Sequence, residues 1–91
     1  MEFKMTESQI LEMLNTFKYV CGKRETLRMI NEASAGIRCI VIAQDAEKQI
    51  IQSAIDFCRL KGLSYSIVST KRKLAEFVGI KVCCSMICFY N

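Results

Sequence analysis

The chain has 91 residues, 52% of them apolar, with 13 Lys and Arg against 9 Asp and Glu for a net charge of +4. That length allows one globular domain, 1–91, with a core of its own, and the modest basic excess suits a nucleic acid or an acidic surface without choosing between them. With no histidine, no Gly-rich phosphate loop and no G-x-S-x-G turn, the chain offers little to catalysis and is expected not to be an enzyme.

Glu2, Glu7 and Glu12 interrupt any apolar run near the start, so no secretory leader is expected, and no stretch approaches membrane-spanning length. The chain therefore reads as a soluble, cytoplasmic protein with no membrane partner, loose only at 1–5 and at its last residue or two. "T-E-S-Q-I-L-E-M-L-N-T-F" opens a first helix: Thr6 is a candidate N-cap, Gln9 follows three residues later, and Ile10, Leu11, Leu14 and Phe17 recur at helical spacing. A short strand-like "K-Y-V" precedes Gly22 and a second helix running to about residue 35, with Leu27 and Ile30 facing inward. "C-I-V-I-A" is apolar, β-branched and too short for a helix, so it reads as a buried strand.

Asp45 is the expected cap of a third helix, which carries Ile50, Ile51, Ala54, Ile55 and Cys58 on one stripe and stops at Gly62. "L-S-Y-S-I-V" reads as a strand, Thr70 as the cap of a short fourth helix ending at Gly79, and "V-C-C-S-M-I-C-F" as the last strand. Helices alternating with strands predict an α/β layered sandwich. The six cysteines, Cys21, Cys39, Cys58, Cys83, Cys84 and Cys88, fall inside apolar segments and read as reduced core thiols. A disulfide framework and metal ligation are the lesser alternatives, since there is no C-x-x-C pair.

The charges carry the functional signal. Lys23, Arg24 and Arg28 crowd the first turns of the second helix, and Lys71, Arg72 and Lys73 occupy the first turn of the fourth. Cations oppose the partial positive charge of a helix start, so an anion is expected nearby. Right-handed crossovers should bring the turns at Gly22, Asp45 and Thr70 to one edge of the sheet, gathering Lys23, Arg24, Arg28, Lys71 and Arg72. Against this stands the plain alternative of solvated helix faces, with Glu25 and Arg28 paired at i, i+3. Glu25 tilts the balance, because a carboxylate repels phosphate but accepts hydrogen bonds from the N1–H and exocyclic amine of an exposed guanine edge, as found in irregular RNA. Asp45 and Glu47 at a strand's C-terminal end are a rival acid–base site, outweighed by their ordinary roles at a helix start.

"G-K-R-E-T-L-R-M-I", "C-I-V-I-A-Q-D-A-E" and "R-K-L-A-E-F-V-G-I" resemble, in order and approximate spacing, the motifs of the kink-turn-binding ribosomal protein superfamily, which includes the L-seven-Ae, L-thirty-e, S-twelve-e and Gadd-type proteins. The chain resembles the small-subunit S-twelve-e branch most, through Arg24 before Glu25, Cys58 and the closing "V-C-C-S-M-I-C-F-Y", while "K-Y-V-C-G-K-R-E-T-L-R-M-I" is also close to large-subunit L-thirty-e. Lys48 stands where many relatives have proline, and Ala75 where glycine is usual. The resemblance implies a three-layer α-β-α sandwich with a small mixed sheet of about four strands, binding structured ribosomal RNA at one edge as a monomer among neighbouring ribosomal proteins, without a cofactor or metal. Carried over by position, Gly22 opens the binding helix, Lys23, Arg24 and Arg28 meet the RNA backbone, and Glu25 reads a guanine. Glu47 and Ile51 line a second contact loop, and Lys81 with Val82 a third. The resemblance also holds kink-turn and box C/D snoRNP proteins, and interaction modules that act without RNA, so these remain as alternatives.

Overall fold

The computed structural model describes residues 4–81 and 84–91, with the backbone alone at Ser34. Helix α1 (Glu7–Thr16) begins as its sequence dictates: Thr6 N donates to Gln9 Oε1 at 2.8 Å and Gln9 N to Thr6 Oγ1 at 3.2 Å, so two free amides of the first turn are satisfied reciprocally. Strand β1 (Lys18–Cys21) leads through Gly22 into α2 (Lys23–Ala33), followed by a 3-10 turn (Ser34–Gly36) and strand β2 (Ile37–Ile42). Gly22 has φ +94°, a left-handed backbone that an L side chain adopts only with strain, and no atom lies within 4 Å of where a Cβ would sit. Its backbone conformation, rather than any lack of space, therefore sets the residue type.

Helix α3 (Lys48–Lys61), strand β3 (Tyr65–Ile67), helix α4 (Lys71–Val78) and strand β4 (Met86–Tyr90) complete the chain. Helices α3 and α4 end at Gly62 and Gly79 as the sequence predicts, and Thr70 Oγ1 accepts from Lys73 N at 3.1 Å to cap α4. Among the described residues the strands form one sheet in the order β1-β4-β2-β3. Strand β4 runs antiparallel to β1, with Cys21 opposite Ile87, and antiparallel to β2, with Ile42 opposite Met86; β3 runs parallel to β2.

Each face of the sheet carries its own helices, giving the α/β layered sandwich that the alternation of elements predicts. Cys39 and Val41 of β2 join Ile87 and Phe89 of β4 beneath Ile10 of α1 and Leu74 and Ala75 of α4. Ile40 and Ile42 join Met86 and Cys88 on the other face, against Ile30 of α2 and Ala54 and Cys58 of α3. Alternate side chains along a strand point to opposite faces, so a central strand covered on both sides is apolar throughout. A bulge between Ile37 and Cys39 breaks that parity, which places Ile37 on the same face as Ile40 and Ile42 and leaves Arg38 exposed.

Several expectations need correction. The second helix ends at Ala33, two residues early, because the chain tightens into the 3-10 turn. Leu11 is 45% exposed, since the apolar stripe of α1 packs through Ile10, Met13 and Leu14. Asp45 does not cap α3: that helix starts at Lys48 behind Glu47, whose side chain makes no capping bond. The final strand begins at Met86, whereas Val82 and Cys83 lie outside the described residues.

Candidate nucleic-acid interface

Because β4 opposes both β1 and β2, and β3 is parallel to β2, strands β1, β2 and β3 share one direction and finish at the same end of the sheet. The turns at Gly22, at 43–47 and at 68–70 therefore meet there, as the crossover argument expects. Main-chain hydrogen bonds stitch them together. Gly22 N donates to Met86 O at 2.8 Å, Ala43 N to Ser85 O at 2.8 Å, Gln44 N to Ser69 O at 2.9 Å and Cys84 N to Lys71 O at 3.2 Å. The two basic helix starts lie on opposite layers of the sandwich, joined through the short segment 84–86 that leads into β4.

Within this end the candidate residues differ in what holds them. Lys23 and Arg24 are exposed in the first turn of α2. The Arg28 guanidinium donates to the Glu25 carboxylate, and both side chains stay open to solvent at 58% and 40% exposure. Such a surface pair contributes only a few tenths of a kcal/mol, so the Glu25 oxygens can exchange this partner for another donor at little cost. Arg72 is 90% exposed and reaches the Glu76 carboxylate only at 3.8 Å. Lys71 is held by its main chain, its N–H on Asp45 Oδ1 at 2.8 Å and its carbonyl on Cys84 N.

Glu47 is exposed ahead of α3. Ile51 is half-buried one turn inside that helix and packs against both core clusters, so much of its surface belongs to the core. Lys81 is exposed three residues before Cys84, a chain reach of at most about 11 Å, and Cys84 is in turn bonded to the start of α4. Val82, expected beside it, lies outside the described residues.

Two contributors are invisible in the sequence. Asp45 places its carboxylate on the first amide of α4, so the anion that the cationic start of that helix needs is supplied from a different loop. Ser69 sits at φ +65°, unusual for a residue other than glycine, and donates from Oγ to Glu7 Oε2 at 3.2 Å, which ties α1 to the rim of the same end. Neither leaves a local motif, because each bond joins residues far apart in the chain. A shallow cleft of about 470 Å³ beside Ser69 is lined by Gln44, Thr70, Arg72 and Lys73 together with Glu7 and Glu76. A second cleft, about 520 Å³, opens at the other end of the sheet, where the Arg38 guanidinium lies 5.1 Å from the centre of the Phe17 ring. Its apolar floor does not share the charge character of the strand ends. Among the described residues no cluster of three or more His, Cys, Asp or Glu side chains is arranged to hold a metal ion, and no helix is long and apolar enough to cross a membrane.

Residues 4–91 match the family described as "Ribosomal protein L7Ae/L30e/S12e/Gadd45 family". The chain belongs to that family. No curated protein matches the sequence significantly. Solved structures that resemble this L7Ae/L30e/S12e/Gadd45-family chain include a protein of unknown function from Bacillus halodurans C, with TM-score 0.79 and 13% identity over 93% of this chain and 87% of that one. A Giardia lamblia 15.5kD RNA binding protein aligns with TM-score 0.76 and 18% identity over 98% of this chain and 78% of its own. At such identities the likeness speaks for the fold of the family and leaves each site residue to be argued from its own position.

Proposed function

We propose that this protein is a non-catalytic ribosomal protein that docks structured ribosomal RNA at the shared C-terminal end of β1, β2 and β3, as a small-subunit protein of the S-twelve-e type. The observation that carries this reading is the meeting of the Gly22, 43–47 and Thr70 turns at one end of the sheet, with exposed Lys23, Arg24 and Arg72 around it. Family membership supports it, as does the fold shared with a Giardia lamblia protein that binds RNA. Lys23, Arg24, Arg28, Lys71 and Arg72 neutralise phosphates, and Glu25 leaves Arg28 to accept two hydrogen bonds from a guanine edge. Gly22 sets the entry into α2, while Glu47, Ile51, Lys81 and Val82 flank the docked strand. Large-subunit placement of the L-thirty-e type uses the same surface and is separated by which ribosomal particle retains the tagged protein.

The test is a gel shift with a kink-turn RNA over a salt series. The logarithm of affinity should fall linearly with the logarithm of salt, with a slope of about −0.7 to −0.9 for each phosphate neutralised. Arg24→Ala should weaken binding to every RNA alike. Glu25→Gln should chiefly erode the preference for guanine, by about 1–3 kcal/mol if both hydrogen bonds are lost, on the scale known for paired contacts to bases. Guanine preference untouched by Glu25→Gln would remove the base-reading role. Absence of any shift together with capture of a stable protein complex would favour an interaction module that works without RNA.

A further inference from the structure

Cys21 ends β1 one residue before Gly22, and Cys84 lies two residues before β4. Both belong to the face covered by α1 and α4, where Cys84 is 1% exposed within the core and Cys21 packs against it from a half-buried position. The two side chains interact, each perturbing the ionisation of the other. The chain is fixed on both sides, by Gly22 N to Met86 O just after Cys21 and by Cys84 N to Lys71 O, and the Cys84 thiol donates to Met86 O at 3.2 Å. The framework of the sheet end thus brings the two side chains into one packed cluster before any chemistry occurs.

The pair is also set apart from the other described cysteines. Burial pushes the Cys39 and Cys58 thiols up to about 11 and Cys88 to about 12, which leaves them protonated and unreactive at neutral pH. Cys21 is shifted the other way, because its contact with the Cys84 side chain favours the thiolate and outweighs its partial burial. Cys84 is driven far up by the same contact and by its burial, so of the two thiols Cys21 is the one that gives up its proton first.

We propose that Cys21 and Cys84 form a dithiol site that hydrogen peroxide or another small hydroperoxide oxidises to an intramolecular disulfide. The half-exposed Cys21 thiolate attacks one peroxide oxygen and the O–O bond breaks. The departing hydroxide takes up the proton that Cys21 had released and becomes water, leaving Cys21 as the sulfenic acid. The Cys84 sulfur then attacks the Cys21 sulfur, the S–O bond breaks, and the second hydroxide leaves as water with the Cys84 proton. Two thiols lose two electrons in total, and one peroxide is reduced to two waters. The new bond ties the β1 exit at Gly22 to the segment that starts β4.

Peroxide treatment of the folded, reduced protein, followed by intact-mass and peptide analysis, tests this. The mass should fall by two hydrogens and return on adding dithiothreitol, with Cys21 linked to Cys84 and Cys39, Cys58 and Cys88 still open to alkylation after unfolding. Fragmentation within the peptide that holds both Cys83 and Cys84 should place the bond on Cys84. Cys83→Ser should keep the link and Cys21→Ser should lose it. A bond from Cys21 to Cys83 or Cys39, an unlinked sulfinic acid at Cys21, or an unchanged mass would each overturn the proposal. The link is read on the protein alone, so its outcome is independent of whether RNA binds.

Discussion

Thr26, on the inward side of α2, has no exposed surface, and its Oγ1 has no hydrogen-bond partner among the described residues. Its backbone is fully engaged, the N–H on Gly22 O at 3.1 Å. A buried hydroxyl that gave up water without replacement costs about 1–3 kcal/mol, and an isosteric apolar group avoids that cost. Thr26→Val should therefore stabilise the protein by about 1 kcal/mol in urea unfolding, provided the valine fills the same volume. The sequence gives no warning of this position, since a threonine in a helix whose apolar stripe is read from Leu27 and Ile30 passes for a surface residue. The cysteines show the same division. That Cys39, Cys58, Cys84 and Cys88 are buried follows from their apolar neighbours in the chain, whereas the contact between Cys21 and Cys84 depends on β1 and β4 lying side by side.

At the scale of the element, caps written within a few residues were legible and caps supplied from elsewhere were not. Thr6 with Gln9 and Thr70 with Lys73 are local, and both form as their spacing predicts. Asp45 has the residue type of a cap, but the 43–47 turn carries it away from α3 and onto Lys71 N of α4. Asp45→Ala should cost about 1 kcal/mol, the usual value of a lost capping bond. Amide exchange should speed up at Lys71 and leave the start of α3 unchanged, and the reverse pattern would restore the original reading of Asp45. Gly22 belongs to this scale as well, because its +94° φ turns β1 into α2. Gly22→Ala should cost about 1–2 kcal/mol in the same urea assay, since the left-handed backbone is strained for an L side chain.

Across the whole molecule, two apolar cores share one sheet, and both contain thiols that burial keeps protonated. Cys39, Cys58 and Cys88 are raised from 9.0 to about 11, 11 and 12. Above pH 9 the unfolded chain releases thiol protons that the folded chain retains, so the unfolded state gains and stability falls as pH rises toward those folded values. Below about pH 8 the contribution is complete, and in the falling window each thiol adds a slope of up to about 1.4 kcal/mol per pH unit. Urea midpoints measured from about pH 8 to about pH 11 should decline accordingly, and Cys58→Ala should make the decline shallower.

The amino-acid sequence by itself determined the layered α/β plan, the capped starts of α1 and α4, the glycine ends of α3 and α4, the two cationic helix starts and most of the core, because each of these is encoded in short-range spacing of residue types. Tertiary structure alone decided that β4 lies between β1 and β2, that Asp45 serves α4, and that Cys21 packs near Cys84. Those relations depend on strand order and direction, which arise when distant segments compete to cover the same apolar surface, and no window of neighbouring residues records the result of that competition.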